Sequence, residues 1–386
     1  MRILISAGEA SGEMYGAELI EALRRIRPDA DFFGAGGERM RRAGCELVVD
    51  ASDLSVVGIS EILGHLPRIW GLFHKLIAEA DRRKPDVAVV IDSPAFNWRV
   101  AREMHKRGVP VAYYVAPQFW AWRQGRVRLL RKYVDNALVI FPFEEEFYRT
   151  RGVNATFVGH PLAFVQRPVV TREAFAAQYS LDLSQPWITL MPGSRRKEVR
   201  MNLPTMLEAA AQLKGNFEFL VPVAPTLEED WLKQQVGQHP VHLVSDARAA
   251  LLHSRTGIIA SGTATVEAAL MGTPFVMVYR VSTLTYLLGK PRLKVPYFAM
   301  VNLIAGEQVV PELVQDAFTT KNVVDRTREI IEDGPVREQM VSGLTKVRKL
   351  LTLGSLMPDS APGTPHNQVP RPPERAAREI LALLSS

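Results

Sequence analysis

The chain has 386 residues, a net charge of +6 and an isoelectric point of about 9.4. Hydrophobic residues make up 47% and charged residues 23%, which is typical of a globular protein and argues against disorder. This length predicts two domains. Cys45 is the only cysteine, so the sequence excludes an intrachain disulfide and a multi-cysteine zinc site.

The basic charge balance suits phosphorylated ligands, nucleic acid or anionic lipid. Nucleic acid ranks low, because the sequence has neither zinc-finger spacing nor an RNA-binding aromatic motif. The apolar run 2–6 is too short for a signal-peptide core and predicts a first buried strand. No apolar run approaches the roughly 18 residues that a membrane-spanning helix needs. We therefore expect a cytoplasmic protein, free or bound to the inner face of the membrane.

Short apolar runs alternate with helical patterns in the first half of the chain. The predicted strands are 2–6, 31–34, 87–91, 111–114, 137–140 and 155–158. The predicted helices are 14–26, 70–81 and 98–107. Most of the strand runs lack polar alternation, which is typical of parallel strands that are buried on both faces.

Prolines then interrupt this rhythm, and the pattern predicts an interdomain linker with a short helix over 166–186. Further strands are predicted at 187–191, 217–221, 241–244, 257–260 and 275–278, and further helices at 204–213, 227–236, 263–271 and 323–333. The predicted domains are 1–165 and 187–350, followed at 351–386 by a proline-rich loop (356–373) and a helix (374–384). The sequence thus predicts an α/β protein with two Rossmann-like doubly wound domains facing a cleft.

Two loops of the first half follow predicted strands, where ligands bind in such sheets. Loop 8–12 has the sequence GEASG, which permits close ligand approach just before a helix N-terminus. The alternative is an ordinary turn with Ser11 as the helix N-cap. The second loop places Asp92 at the carboxyl end of a strand, where it can act as a general base on a sugar hydroxyl. The alternative is an Asp that opens a proline turn.

Two loops of the second half suit anions. Gly193 and Ser194 precede three cations, and loop N–H groups with the Arg195 fork suit a bound or departing pyrophosphate. Residues 261–265 place hydroxyl and N–H groups at a helix start, and Glu267 follows as an acceptor for ribose hydroxyls. The alternatives are a solvated charged turn in the first loop and, in the second, an N-cap at Ser261 or Thr263. Glu267 is then only an acid that the helix dipole favours.

Weaker signals complete the pattern. Asn302 and Glu307 lie among apolar residues, and the favoured interpretation of Asn302 is a buried amide with satisfied hydrogen bonds. Asp29 and Asp31 have the spacing of a metal pair but precede their strand, so we expect no metal site and no cofactor. Apolar residues adjoin cations in segments 62–73, 120–132 and 290–295, which favours an interfacial surface. Core packing with a solvated face explains each segment equally well.

In chain order, motifs 6–12, 91–94, 119–123, 158–161, 192–195, 261–267 and 302–306 resemble those of the bacterial lipid-A-disaccharide synthases. The resemblance implies a GT-B fold and inverting transfer from UDP-2,3-diacylglucosamine to 2,3-diacylglucosamine 1-phosphate, which yields a β(1→6) disaccharide and UDP. It also implies a peripheral membrane protein, and it allows a homodimer with exchanged C-terminal segments.

The resemblance carries roles for individual residues. Asp92 matches the family's proposed base and Arg195 its diphosphate contact, while Ser11 and Asn302 match residues tied to activity. We predict that Asp92, Arg195 and Ser11 are catalytic. The predicted substrate-binding residues are Gly8, Glu9, Gly12, Gly193, Ser194, Ser261, Gly262, Thr263, Thr265, Glu267, Asn302 and Glu307.

The sequence departs from the family pattern at three places. The family usually has Asp where Glu13 stands and often a second Asp where Ala95 stands, and segment 356–373 is unlike the family's compact tail. Two other functional classes stay open from the residues alone. One is a UDP-sugar 2-epimerase-like isomerase, and the other is a non-catalytic protein that binds a UDP-sugar or lipid. Transfer to another lipid acceptor is a third alternative.

Overall fold

A computed structural model describes residues 1–8, 10–53, 62–213, 215–281, 295–352 and 370–385, with the backbone alone at 10–11 and 62–66. The chain divides into two compact units. Unit 1 comprises Met1–Phe164 and Pro358–Ser386, and unit 2 comprises Val165–Met357. The predicted proline-rich loop, apart from its last residues, and the predicted basic segment around 290–294 lie outside the described residues.

Unit 1 contains a parallel sheet of seven strands in the order β3-β2-β1-β4-β5-β6-β7. The strands are β1 (Arg2–Ala7), β2 (Asp31–Gly36), β3 (Cys45–Asp50), β4 (Val87–Ile91), β5 (Val111–Tyr114), β6 (Asn136–Val139) and β7 (Ala155–Phe157). Every residue of β4 is buried, as its unbroken apolar sequence predicts. In the central register, Ile3 of β1 pairs with Phe32 on one side and with Val87 on the other.

Helices connect these strands. They are α1 (Ala10–Ile26), α2 (Glu38–Arg42), α3 (Ile62–Arg83), α4 (Pro94–Lys106), α5 (Val127–Tyr133) and α6 (Pro142–Arg149). Both α4 and α6 begin with proline, whose fixed φ suits the first helical position and whose missing N–H is no loss there. The chain therefore turns into a helix almost directly after β4, which places the turn between them at the carboxyl edge of the sheet.

Unit 2 contains a second parallel sheet in the order β10-β9-β8-β11-β12-β13. Its strands are β8 (Trp187–Met191), β9 (Glu218–Pro222), β10 (His242–Val244), β11 (Thr256–Ala260), β12 (Phe275–Tyr279) and β13 (Glu312–Val314). Its helices are α7 (Arg172–Tyr179), α8 (Arg196–Gln212), α9 (Glu229–Val236), α10 (Ala247–His253), α11 (Thr263–Met271), α12 (Met300–Ala305), α13 (Thr320–Ile331) and α14 (Pro335–Leu351). The predicted α/β class is confirmed, since each unit is a doubly wound parallel sheet.

Some elements differ from the prediction. Helix α8 begins at Arg196, whereas the pattern predicted a start at Pro204, because Glu198 caps an earlier N-terminus and the proline continues inside the helix. The edge strands β3 and β13 were not predicted. Both lie at or next to a sheet edge and are only partly buried, so their sequences lack the continuous apolar run of a central strand.

The last described helix, α15 (Pro372–Ala382), belongs to unit 1 and packs against α1. Arg25 and Glu374 form an ion pair of 3.0 Å between these helices. Glu379 accepts a hydrogen bond from the Asn136 amide at the amino end of β6, with a nitrogen–oxygen distance of 3.2 Å. Among the described helices, none combines the length and the apolar character needed to cross a membrane.

Candidate active site

The turn after β4 has an unusual backbone. Asp92 and Ser93 have φ angles of 48° and 45°, so two successive non-glycine residues adopt the left-handed conformation. This conformation costs about 1–2 kcal/mol per residue, because Cβ approaches the following carbonyl oxygen. Such a turn persists only when its surroundings fix it, and strained turns of this kind cluster at functional sites.

The side chain of Asn97 supplies much of that fixation. It is completely buried on α4, and its Nδ2 donates to the carbonyl oxygens of Ile91 and Asp92 over 2.8 and 3.0 Å. Its Oδ1 accepts from the Ser6 hydroxyl over 2.7 Å. The Tyr113 hydroxyl of β5 also donates to the Asp92 carbonyl, over 2.9 Å. Side chains of α4 and β5 therefore converge on the backbone of this turn, and β1 holds the Asn97 amide through Ser6.

Sequence analysis did not single out Asn97 or Tyr113 as functional. The signal in the sequence is slight: Asn97 follows Phe96 in a helix whose neighbouring positions are apolar, so a polar residue at a core position was visible. Tyr113 lies in an apolar strand and is typical of β-structure. Only the paired geometry of β4, β5 and α4 shows that both side chains reach one carbonyl group.

The glycine loop 8–12 lies against the Asp92 turn. A Cβ atom added to Gly8 would lie 2.4 Å from the Ser93 hydroxyl oxygen, and one added to Gly12 would lie 3.8 Å from the Asp92 Cβ. The structure therefore brings together Gly8, Gly12 and Asp92, because β1 and β4 are neighbours. Helix α1 begins at Ala10, so Ser11 lies inside its first turn and not at the N-cap position. Glu9 and the Ser11 side chain lie outside the described residues.

Glu13, the position where the resemblance expects Asp, contacts a different element. Its carboxylate accepts a hydrogen bond of 2.6 Å from the Arg39 backbone N–H, at the start of α2. A Cβ atom on Gly37 would lie 2.6–2.7 Å from the same carboxyl group. An acidic group at a helix N-terminus is stabilising. The carboxylate of Glu13 is therefore engaged in the local structure of unit 1.

A buried carboxylate holds the aromatic loop after β5. Glu144 of α6 accepts from the Trp120 indole N–H over 2.7 Å, and also from the Phe141 backbone N–H over 3.0 Å. Burial raises the pKa of Glu144 to about 7, while these hydrogen bonds act in the opposite direction. Sequence analysis missed Glu144, because an acidic residue in a first helical turn is ordinarily a solvated one.

The loop that Glu144 anchors also carries exposed groups. Trp122 is 47% exposed, and the Arg123 guanidinium lies 4.2 Å from the centre of its ring. On α3, Trp70 is 52% exposed. The apolar and basic side chains predicted for a surface are thus exposed at these positions, whereas Trp120 belongs to the core.

The first candidate anion site of unit 2 follows β8. Gly193 has a φ of +127°, and the next two backbone N–H groups, of Ser194 and Arg195, donate to the Glu198 carboxylate over 3.0 and 3.3 Å. The Arg195 Nη1 lies 3.0 Å from the same carboxylate, and its side chain is 80% exposed. Two N–H groups and one guanidinium thus converge on an anion, which is the donor set that a phosphate requires.

The second candidate anion site is the start of α11. Gly262 is the N-cap residue, with a φ of +140° and no side-chain cap, so the alternative N-caps Ser261 and Thr263 are both wrong. The Ser261 hydroxyl donates to the Phe298 carbonyl over 3.0 Å, and the buried Thr265 hydroxyl donates to Gly262 over 2.8 Å. Thr263 is exposed. The first turn of α11 is therefore open to a ligand that accepts hydrogen bonds.

Glu267 lies one turn further along α11. It is half-buried, and burial raises the pKa of its carboxyl group while Arg248 lowers it. Since β8 and β11 are neighbouring parallel strands, the turns that follow them lie at the same edge of the sheet. The structure thus places residues 193–195 and 261–267 at one edge of unit 2.

Asn302 is completely buried and fully hydrogen-bonded. Its Nδ2 donates to Val310 over 2.9 Å and to Glu312 over 2.8 Å, and its Oδ1 accepts from the N–H groups of Val309 and Val310. This is the satisfied amide that the sequence interpretation favoured. Glu312 also accepts from the Phe298 N–H, so Asn302 and Ser261 belong to one network around that segment.

The remaining predicted residue, Glu307, lies apart from this network. It is exposed and forms an ion pair of 2.6 Å with Lys346 on α14. Among the described residues, no three His, Cys, Asp or Glu side chains are grouped in a way that could hold a metal ion.

Two solved enzymes have a similar fold. The glycotransferase of kitacinnamycin superposes with a TM-score of 0.64 at 16% identity, covering 99% of this chain and 98% of that one. A UDP-GlcNAc 2-epimerase from Neisseria meningitidis superposes with a TM-score of 0.62 at 13% identity, covering 92% and 98%. At these identities the likeness shows the fold alone, which both classes share.

Sequence comparison is more specific. The family described as Lipid-A-disaccharide synthetase matches residues 3–357. The lipid-A-disaccharide synthase of Koribacter versatilis is 53% identical over 388 aligned positions, covering 99% of this chain and 98% of that one. That of Myxococcus xanthus is 44% identical, covering 90% and 92%. The match covers both units, and the motif loops described above lie at the carboxyl ends of the strands in each unit. The chain therefore belongs to the lipid-A-disaccharide synthetase family.

Proposed function

We propose that this chain transfers 2,3-diacylglucosamine from UDP-2,3-diacylglucosamine to 2,3-diacylglucosamine 1-phosphate, forming a β(1→6) disaccharide and UDP with inversion. The family match over residues 3–357 supports the reaction class. One structural observation carries the assignment of the chemistry: Asp92 stands on a strained and over-determined turn at the carboxyl edge of unit 1.

Asp92 acts as the general base. It takes the proton from the 6-hydroxyl of the acceptor, and that oxygen attacks the anomeric carbon of the donor from the face opposite UDP. The bond between the anomeric carbon and the diphosphate oxygen breaks, and the electron pair leaves with UDP. Gly8 and Gly12, which lie against the turn without side chains, allow the acceptor sugar to approach closely.

Unit 2 binds the UDP moiety. The Arg195 guanidinium and the turn N–H groups at 194–195 stabilise the charge that develops on the diphosphate, together with the start of α11. Glu267 accepts hydrogen bonds from the ribose hydroxyls. Ser261, Asn302 and Glu312 hold the segment around Phe298 beside this site. Ser11, which matches a residue tied to activity in the family, keeps its predicted catalytic role, and Glu9 of the same loop keeps its predicted substrate-binding role.

Unit 1 also contacts the cytoplasmic face of the inner membrane. The support is the pairing of exposed indoles with cations, above all Trp122 with Arg123. Replacing Trp122 by Ser should lower co-sedimentation with anionic vesicles, whereas Val169→Ser, at an even more exposed apolar residue of unit 2, should not. Equal binding of the two variants would contradict this surface. The homodimer that the resemblance allows is tested by light scattering of the purified chain.

The decisive experiment is UDP release from UDP-2,3-diacylglucosamine, with and without 2,3-diacylglucosamine 1-phosphate and without added metal. We expect acceptor-dependent release with formation of the disaccharide. Conversion of a UDP-sugar without an acceptor would favour an isomerase instead, and binding without any turnover would favour a binding protein. In Asp92→Asn we expect most turnover to be lost while UDP still binds. Near-normal turnover in folded Asp92→Asn would exclude Asp92 as the base.

A further inference from the structure

We propose that Asn97 is a positioning residue for this reaction, which sets the backbone of Asp92 from inside the core, with Tyr113 as a second positioning residue. The proposal rests on the proposed role of Asp92 as the base. Neither side chain needs to touch substrate, because both act on the Asp92 carbonyl group.

The hydrogen bonds of Asn97 are concentrated on the turn. Its Nδ2 lies within 2.8–3.1 Å of three carbonyl oxygens, those of Ile91, Asp92 and Ser6. Its Oδ1 is occupied by the Ser6 hydroxyl at 2.7 Å. The amide thus ties the end of β1, which leads into the glycine loop, to the end of β4, which leads into Asp92. A buried amide with this many partners fixes both loops relative to each other.

The backbone conformation explains why such fixation is needed. Asp92 and Ser93 both hold positive φ angles, which L-residues adopt rarely. Loss of the donors from Asn97 and Tyr113 removes hydrogen bonds that compensate for this strain, and the turn relaxes toward ordinary φ values. Relaxation moves the Asp92 side chain, and a displacement of about 1 Å at a catalytic group can reduce turnover about 100-fold.

The test compares full-length variants in the acceptor-dependent assay. We expect Asn97→Ala to lower kcat about 30- to 100-fold, while KM for both substrates stays within about threefold and the Kd for UDP, which binds unit 2, is unchanged. The matched control is Asn136→Ala, a buried amide of the same unit at the amino end of β6. It should lose thermal stability to a similar extent but keep kcat within about threefold.

Rescue separates positioning from general stability. Glycine adopts positive φ without a Cβ clash, so Ser93→Gly lowers the cost of the turn. The double variant Asn97→Ala with Ser93→Gly should therefore regain kcat by at least about threefold over Asn97→Ala. A role confined to stabilising the fold predicts no such recovery, because glycine at this site adds no contact. Where Asn97→Ala does not fold, Tyr113→Phe carries the test, with an expected loss in kcat of about fivefold.

The proposal is overturned when folded Asn97→Ala, or folded Tyr113→Phe in its place, keeps kcat within about twofold of the parent chain. It is also overturned when Asn136→Ala loses as much kcat as Asn97→Ala, or when Ser93→Gly gives no recovery. Failure of the underlying base assignment has a separate signature. In that case Asp92→Asn itself retains turnover, whatever Asn97→Ala does.

Discussion

The guanidinium of Arg195 lies 3.0 Å from the carboxylate of Glu198, one turn further along the start of α8. The same carboxylate accepts the backbone N–H groups of Ser194 and Arg195. An internal anion thus occupies the donors that we assign to the diphosphate of UDP. Because Arg195 is largely exposed, this ion pair contributes little to folding, and the donors can exchange Glu198 for a phosphate at low cost.

Replacement of Arg195 by Ala should therefore separate function from stability. We expect kcat/KM to fall about 100-fold or more, as for other groups that stabilise developing charge, while the free energy of unfolding changes by less than about 1 kcal/mol. Steady-state kinetics and urea unfolding measure the two effects. Arg196→Ala is the control, since Arg196 pairs with Glu228 instead and should leave turnover within about threefold. Equal losses in both variants would argue against a specific contact.

Glu198→Gln tests the exchange directly. If the carboxylate competes with the diphosphate, neutralising it should tighten UDP binding about three- to tenfold, which corresponds to about 0.7–1.4 kcal/mol. The loss of an acidic N-terminal group should cost about 0.5–1 kcal/mol of unfolding free energy. Titration calorimetry with UDP at two salt concentrations measures the affinity. Weaker binding would mean that Glu198 shapes the turn and does not compete.

Gly8→Ala should disturb the Asp92 turn. The new Cβ would lie 2.4 Å from the Ser93 hydroxyl oxygen and 2.8 Å from its Cβ, so the turn must shift. We expect kcat to fall at least about tenfold in a protein that still folds. Gly125→Ala is the control, because its Cβ would meet no atom within 4 Å. Full activity of Gly8→Ala would show that the loop and the turn can move apart without consequence.

Asn302→Ala and Glu307→Ala should behave differently although both residues were predicted to bind substrate. Removing the buried Asn302 amide leaves the Val309 and Val310 N–H groups unpaired, which should cost about 3 kcal/mol of unfolding free energy. Loss of the exposed Glu307–Lys346 pair should cost less than about 1 kcal/mol. Chemical unfolding measures both. A stable Asn302→Ala chain with lost activity would point to direct substrate contact instead.

The buried carboxyl of Glu144 predicts a pH dependence of stability. Its pKa is raised by burial from an ordinary 4.5 to about 7, so between these pH values the folded chain holds a proton that the unfolded chain has released. The contribution of Glu144 to the free energy of unfolding is fully present below pH 4.5. As the pH rises through 7, that contribution is lost, by up to about 3 kcal/mol. The Glu144→Gln variant should therefore gain stability relative to the parent chain between pH 5 and 8.

His160 makes that comparison necessary. Burial lowers the pKa of His160 from 6.5 to about 4, so its contribution has the opposite sign and is lost as pH falls through 4. His160 is present in the parent chain and in Glu144→Gln, so its effect cancels in their difference in unfolding free energy. That difference therefore reports on Glu144 alone. Glu145→Gln, at a neighbouring and less buried carboxylate that pairs with Arg149, is the control for removing a charge from the same helix. A difference that is flat with pH would contradict a raised pKa of Glu144.

The sequence by itself determined the class of fold and the loops that carry the motifs. The continuous apolar run of β4 predicted a fully buried parallel strand, and Asp92 was therefore expected at a carboxyl edge. Helix α11 was predicted with its observed ends, because glycine stands on both sides of it. Apolar periodicity and turn residues act within about ten positions of the chain, so such features are encoded locally.

Only the tertiary structure decided which groups meet. Asn97 and Tyr113 converge on one turn, and Ser6, 107 positions before Tyr113, holds the Asn97 amide. Glu312 reaches Asn302 and Phe298 because β13 pairs with β12. The same holds for Glu144, because burial, which raises the pKa of its carboxyl group, is the largest influence on that pKa. Hydrogen-bond geometry and desolvation are properties of packed atoms, and the order of residues alone does not specify them.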